Sequence, residues 1–147
     1  MSSLKDLVAK QKQERLGEIP TGRAIVLLGG EEVTLEFTKL QPKQWLDLAA
    51  QHPPRLGAAI DVNIGFNPHS LAERYPIESV RLVDGEDLAE VSEDDYLAMF
   101  DVLDAIHIDT IGTVIWYLNV QADREAVAAA RKASRAARSK KRSSRAS

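Results

Sequence analysis

The last twenty-five residues, from Asp123, cannot build a core, and this constrains the fold most. They carry nine basic and two acidic side chains, and all eight aromatic residues of the chain lie earlier, between Phe37 and Tyr117. On a helix of 100° per residue, Arg124, Arg131, Arg135, Arg138 and Arg142 share one narrow stripe, with Ala126, Ala130, Ala133 and Ala137 opposite. Alanine and arginine are strong helix formers, and cations near a helix C-terminus suit its dipole. An alanine stripe nevertheless buries little area, so packing holds such a helix weakly. The tail is therefore expected to be a helical extension that frays before Ser147 and is disordered from about Ser139. The core has to come from residues 1–122.

The charge follows the same division. The whole chain has a net charge of −3, but residues 1–122 hold ten basic and twenty acidic side chains. Between Asp84 and Asp109 there are ten carboxylates and no lysine or arginine. An acidic body with a basic interaction tail is one reading; a tail folded back on its own acidic stretch is the other.

Within the body, Ser3 caps a first helix with Asp6 three residues on, and Gly17 stops it. Its apolar residues Leu4, Leu7, Val8 and Leu16 are sparse, which puts this helix at the surface or in wait for a partner. Glu18 to Gly22 reads as a turn. Arg23–Leu28 and Glu32–Thr38 flank Gly29-Gly30 and read as a β-hairpin at about 23–38, with Val33, Leu35 and Phe37 on one buried face. Pro42 opens a helix containing Trp45, which His52-Pro53-Pro54 ends. Arg55 to Phe66 reads as a loop, Asn67-Pro68 as a cap and short helix to Arg74, and Pro76 as the start of another short helix to about Val83. Asp84-Gly85-Glu86-Asp87 is a polar break. Ser92 and Asp95 begin a helix with Leu97, Phe100 and Leu103 on its apolar face. The segment from about Ile106 is rich in β-branched residues that suit a strand, but Ile108, Ile111, Ile115 and Leu118 recur at helical spacing, so it reads as a helix. The fold class is mainly α: one small helical domain over 1–122 with an N-terminal β-hairpin, then a basic extension over 123–147.

Catalytic chemistry finds little footing. Cysteine is absent, which excludes disulfides, thiolate metal sites and a cysteine nucleophile. Asp101, Asp104, His107 and Asp109 have spacing that invites a divalent metal, but Asp104 falls at a helix junction and the stretch is acidic throughout, as a solvated face is. Asp84–Asp87 lacks the ligand spacing of a calcium loop. No GK[ST] follows Gly29-Gly30, and no serine sits in a nucleophile elbow. The expectation is no enzyme, no cofactor and no metal. The basic tail is a phosphate-binding candidate, but without aromatics it rests on charge alone. Trp45 and the pair Trp116-Tyr117 read as core residues, with Trp116 also an interface anchor. No apolar run reaches the roughly 18 residues of a membrane span, and Met1–Arg15 lacks the apolar centre of a secretory signal.

Several stretches taken in order resemble the tail assembly chaperones of long-tailed bacteriophages, particularly those infecting actinobacteria. They are Pro42-Lys43-Gln44-Trp45-Leu46, His52-Pro53-Pro54-Arg55, Gly65-Phe66-Asn67-Pro68, the segment ending in Leu82-Val83, the acidic helix with Asp94, Leu97, Phe100 and Leu103, and the helix with Trp116 and Asn119. The likeness covers roughly residues 40–120 and contains no catalytic motif. It implies a non-enzymatic chaperone that keeps the long, helical tape measure protein soluble until tail-tube subunits polymerise around it, in the host cytoplasm and not in the mature virion. It implies the tape measure protein as partner, with the tail-tube protein and a longer frameshifted form of the same chain beside it, and it admits self-association. No membrane partner is expected and nucleic acid is disfavoured. Trp45, Phe66, Phe100, Trp116 and Tyr117 are the candidate apolar contacts, and Arg124, Arg131, Arg135, Arg138 and Arg142 the candidate electrostatic clamp or the link to the frameshifted extension. Such chaperones are often extended by a one-base backward ribosomal frameshift, and Ser139-Lys140-Lys141 admits codons that form a slippery run. The strongly basic end departs from the family pattern. The other expectations to weigh are a small nucleic-acid-binding or regulatory protein acting through its tail, and a structural virion subunit of the tail or connector.

Overall fold

The computed structural model describes residues 3–146. In chain order it contains α1 (Leu4–Leu16), β1 (Thr21–Leu28), β2 (Glu31–Thr38), α2 (Pro42–Gln51), α3 (Ala59–Ile64), α4 (Pro68–Glu73), β3 (Val80–Asp84), β4 (Asp87–Glu90), α5 (Glu93–Val102), α6 (Ala105–Trp116) and α7 (Ala122–Ala146). The chain is mainly helical, around one four-stranded antiparallel sheet in the order β1-β2-β3-β4.

The sheet is built from period-two patterning. Gly29 and Gly30, both at positive φ, make the tight turn between β1 and β2. Ala24 faces Leu35 and Leu35 faces Leu82; Gly22 faces Phe37 and Phe37 faces Val80. These rows form the inner face, where Ala24, Val26, Leu35, Phe37 and Val80 are buried. The opposite face carries Arg23, Glu36, Arg81 and Glu90 side by side, with an Arg23–Glu36 ion pair at 3.0 Å.

Helix α6 packs on the inner face, burying Ile111 and Ile115, and Leu118 just beyond it is buried as well. Two glycines permit close approach. A Cβ on Gly22 of β1 would lie 3.0 Å from Val114 Cγ1, and one on Gly112 of α6 would lie 3.1 Å from Pro68 Cβ of α4. The apolar side of α5 closes the core through Tyr96 and Phe100, stacked edge-to-face at 5.0 Å. Tyr96 donates its hydroxyl to the Ala72 carbonyl at 2.7 Å.

The structure corrects several expectations. Pro76 does not open a helix to Val83: a single tight helical turn, Ile77–Ser79, is followed by strand β3. The polar break at Asp84–Asp87 is a hairpin turn, with Gly85 at positive φ, and it leads into β4. With only Val80 and Leu82 facing inward, the pattern is too short to separate a strand from a helix. The expected loop from Arg55 to Phe66 contains α3, which ends at Gly65 in the left-handed region, its N–H bonded to the Asp61 carbonyl at 2.7 Å. The turn expected over Glu18 to Gly22 already enters β1 at Thr21.

The last helix continues through residues Tyr117–Gln121, wound as a π-helical turn, into α7. Helix persists past Ser139, Lys140 and Lys141, where disorder was expected, and reaches Ala146. Nor does the tail fold back on the acidic stretch. Its first turn is tied to the body by Lys39 Nζ to Asp123 at 2.5 Å, and the Tyr117 hydroxyl donates to Glu125 at 2.8 Å. From Asp123 to Ser144 every residue is exposed.

The π turn has an identifiable purpose. It brings Asn119 inward, where it is 6% exposed. Its Oδ1 accepts from the Leu40 backbone N–H at 3.0 Å, and its Nδ2 donates to the Tyr75 hydroxyl and the Ile115 carbonyl, both at 3.0 Å. Tyr75 in turn donates to the Thr38 carbonyl at 2.6 Å. Burial pushes the Tyr75 hydroxyl up to about 12, so it stays a neutral donor. One amide thus locks the end of β2, the start of α2 and the last helix together.

Candidate functional site

A concavity of about 720 Å³ opens between α3, α4 and α6. This lies within the usual range of roughly 300–1,000 Å³ for ligand sites. Asp109, Gly112, Thr113 and Trp116 of α6 line it at the spacing of one helix face. Ala59, Ile60 and Ile64 of α3 form one wall, and Pro68 and His69 of α4 the other. Because Gly112 carries no side chain, Pro68 seats directly against α6. Ile60 of the lining is apolar yet 70% exposed, and Leu56, next in sequence to the lining residue Arg55, is 103% exposed.

The wall at α3 is held by a buried carboxylate. Asp61 has no exposed surface, and it accepts from the Arg55 backbone N–H and Nε, each at 2.9 Å, and from Arg55 Nη2 at 3.0 Å. The Arg55 guanidinium and backbone hold the Asp61 carboxyl down to about 2, against the opposing effect of burial. It is therefore ionised at every ordinary pH and clamps the His52–Arg55 turn onto α3. The other end of that turn is tied to α4: Asn67 N–H donates to the His52 carbonyl at 2.8 Å, and His52 Nδ1 lies 2.9 Å from Ser70 Oγ. Asn67 caps α4 by accepting from the His69 and Ser70 N–H groups. Across the cavity mouth, His69 Nε2 meets Asp109.

Burial, helped by the charge of Arg74, lowers the pKa of His52 from its ordinary 6.5. The unfolded chain therefore takes up this proton at a higher pH than the folded one. Stability is expected to fall as pH drops through about 6.5, with no contribution from this group above it. Urea unfolding at about pH 7.5 and about pH 5.5 measures the effect, and His52→Gln, which can still bond Ser70, is expected to flatten that slope. An unchanged slope in the variant would place the titration elsewhere.

The five aromatic candidates separate. Trp45 and Phe66 stack edge-to-face at 5.3 Å inside the core, and Phe100 is packed on Tyr96, so all three are buried. Trp116 is partly buried and lines the cavity, and its indole Nε1 is a buried donor with no hydrogen-bond partner among the described residues. Tyr117 is 46% exposed. The arginines of the basic stripe all lie on α7, clear of the cavity. Among the described residues no three His, Asp or Glu side chains are grouped to hold a metal. Asp104 instead precedes α6 as its N-cap residue, and Asp109 pairs with His69. No helix of the described residues is long and apolar enough to cross a membrane.

Sequence reading missed Asp61, His69 and Asp109 as neighbours. A usable signal was present: Asp61 is the one charged residue in the apolar run from Leu56 to Phe66, the position of a paired, buried carboxylate. No known protein family, curated protein or solved structure matches the chain.

Proposed function

We propose that this chain is a non-enzymatic tail assembly chaperone of a long-tailed bacteriophage, acting in the host cytoplasm on the tape measure protein. One observation carries the reading: an apolar cavity floored by one face of α6, with Ile60 of its lining exposed. Apolar side chains at the surface beside an apolar groove suit capture of an amphipathic helix, which would set side chains at i, i+3 and i+4 into it. Trp116 offers the apolar surface of its ring at the cavity lining. The resemblance over residues 40–120 supplies the client's identity. In this reading the body, residues 1–122 with its strands at about 23–38, captures the client. The basic extension over 123–147 is separate from capture, and Ser139-Lys140-Lys141 marks where a longer product would diverge.

Co-expression with the tape measure protein tests the proposal. The full chain is expected to keep the client soluble and to co-purify with it, and deletion of residues 131–147 is expected to leave both unchanged. A tape measure protein that precipitates regardless would contradict it, as would recovery of this chain in finished particles.

A further inference from the structure

Helix α7 leaves a large charge uncompensated. None of Arg124, Arg131, Lys132, Arg135, Arg138, Lys140, Lys141 and Arg142 forms an ion pair among the described residues. Arg131, Arg135, Arg138 and Arg142 repeat along one side over about 16 Å at 1.5 Å per residue. Beyond its first turns the helix is exposed, and an exposed helix held by little packing is marginal in water.

The body presents the matching surface. Strand β4 is the outer edge of the sheet. Along and beside it lie Asp84, Glu86, Asp87, Glu90, Glu93, Asp94 and Asp95, all exposed and none in an ion pair among the described residues. Apolar Leu88 stands among them, 49% exposed. These seven carboxylates balance the seven net positive charges of residues 123–147. The helix cannot deliver its charge to its own body while α6, the π turn and α7 remain one continuous rod of about 60 Å. Two α7 helices side by side repel each other.

We infer that α7 of one copy docks on the acidic β4 edge of a second copy, a head-to-tail contact that extends into an open array or closes as a ring. Every copy supplies both surfaces in equal number, which no outside partner does. A polyanion is disfavoured because α7 lacks stacking aromatics and projects from a body of net −10. The inference concerns the chain alone and does not rest on the chaperone reading.

Sedimentation of the full chain over a concentration series tests it. At about 0.05 M salt the average mass is expected to rise above the monomer with concentration, and at about 0.5 M, with screening over about 4 Å, association is expected to weaken roughly tenfold or more. Two variants sharpen the test. One carries Arg131→Glu, Arg135→Glu and Arg138→Glu; the other carries Asp87→Lys, Glu90→Lys and Asp94→Lys. Each alone is expected to be monomeric, and mixing them is expected to restore association, since the intact tail of the edge variant then meets the intact edge of the tail variant. Restoration also shows that both variants are folded. A wild-type chain that stays monomeric at low salt would overturn the inference, as would a tail variant that still associates or a mixture that does not. Monomeric protein that retains nucleic acid at low salt would assign the stripe to a polyanion instead.

Discussion

Asn119→Asp is expected to destabilise the fold by about 3–5 kcal/mol at neutral pH, the range for a buried charge left without compensation. The new carboxylate still accepts from Leu40 N–H. It can no longer donate to the Tyr75 hydroxyl or to the Ile115 carbonyl, whose oxygen it would face. Burial raises the pKa of such a carboxyl. A folded-state pKa above the unfolded value means that the protonated form suits the fold. The variant is therefore expected to approach wild-type stability as pH falls toward about 4 and to lose it as pH rises through the raised pKa. Asn119→Ala leaves Leu40 N–H buried and unpaired, at about 1–3 kcal/mol, with no recovery in acid. Urea denaturation of the three proteins across this pH range checks both statements. Equal stability of Asn119→Asp and wild type at pH about 7 would show that the π turn does not depend on this amide.

The second large effect concerns capture. Thr113 lies on the α6 face that floors the cavity, and its hydroxyl bonds only within its own helix, to the Asp109 carbonyl at 2.9 Å. Thr113→Trp fills the groove from an exposed position, so stability is expected to change by only about 0.5 kcal/mol. Client retention is expected to fall by roughly 10–30-fold, the loss of about one buried anchor. Ile25→Ser, on the opposite face of the sheet and 56% exposed in wild type, is expected to leave retention unchanged. Quantitative pull-down against a common concentration series of the tape measure protein gives both values.

Locally encoded features of this fold were legible in the sequence. Ser3, Asn67 and Ser92 each accept from a backbone N–H in the first turn of the helix they precede. These positions are readable because a cap is chemistry between residues two or three apart. The Val33, Leu35 and Phe37 alternation names the side of β2 that meets the core for the same reason. Strands β3 and β4 were hidden because each is short and stabilised by its neighbour: Val80 and Leu82 gain their place from Phe37 and Leu35, more than forty residues earlier. The π turn was hidden too, since Tyr117–Gln121 continues a helical pattern and only the distant Leu40 and Tyr75 explain why it widens.

The candidate site was less legible than the fold. Its lining comes from the Arg55 turn, α3, α4 and α6, and no spacing along the chain links Asp61 or Thr113 to His69. Aromatic content alone does not separate cavity from core: Trp45, Phe66 and Phe100 are buried in the core with Phe37, Tyr75 and Tyr96. Trp116 alone among the candidates joins the cavity.

The most direct test of the central claim places a photo-crosslinking amino acid at position 113 and, separately, at position 25, in chain co-expressed with the tape measure protein. Capture in the α3–α4–α6 groove predicts crosslinks to the client from position 113 and none from position 25. Crosslinks from position 25 without any from 113, or none from either while the client still co-purifies, would place the contact elsewhere and contradict the account.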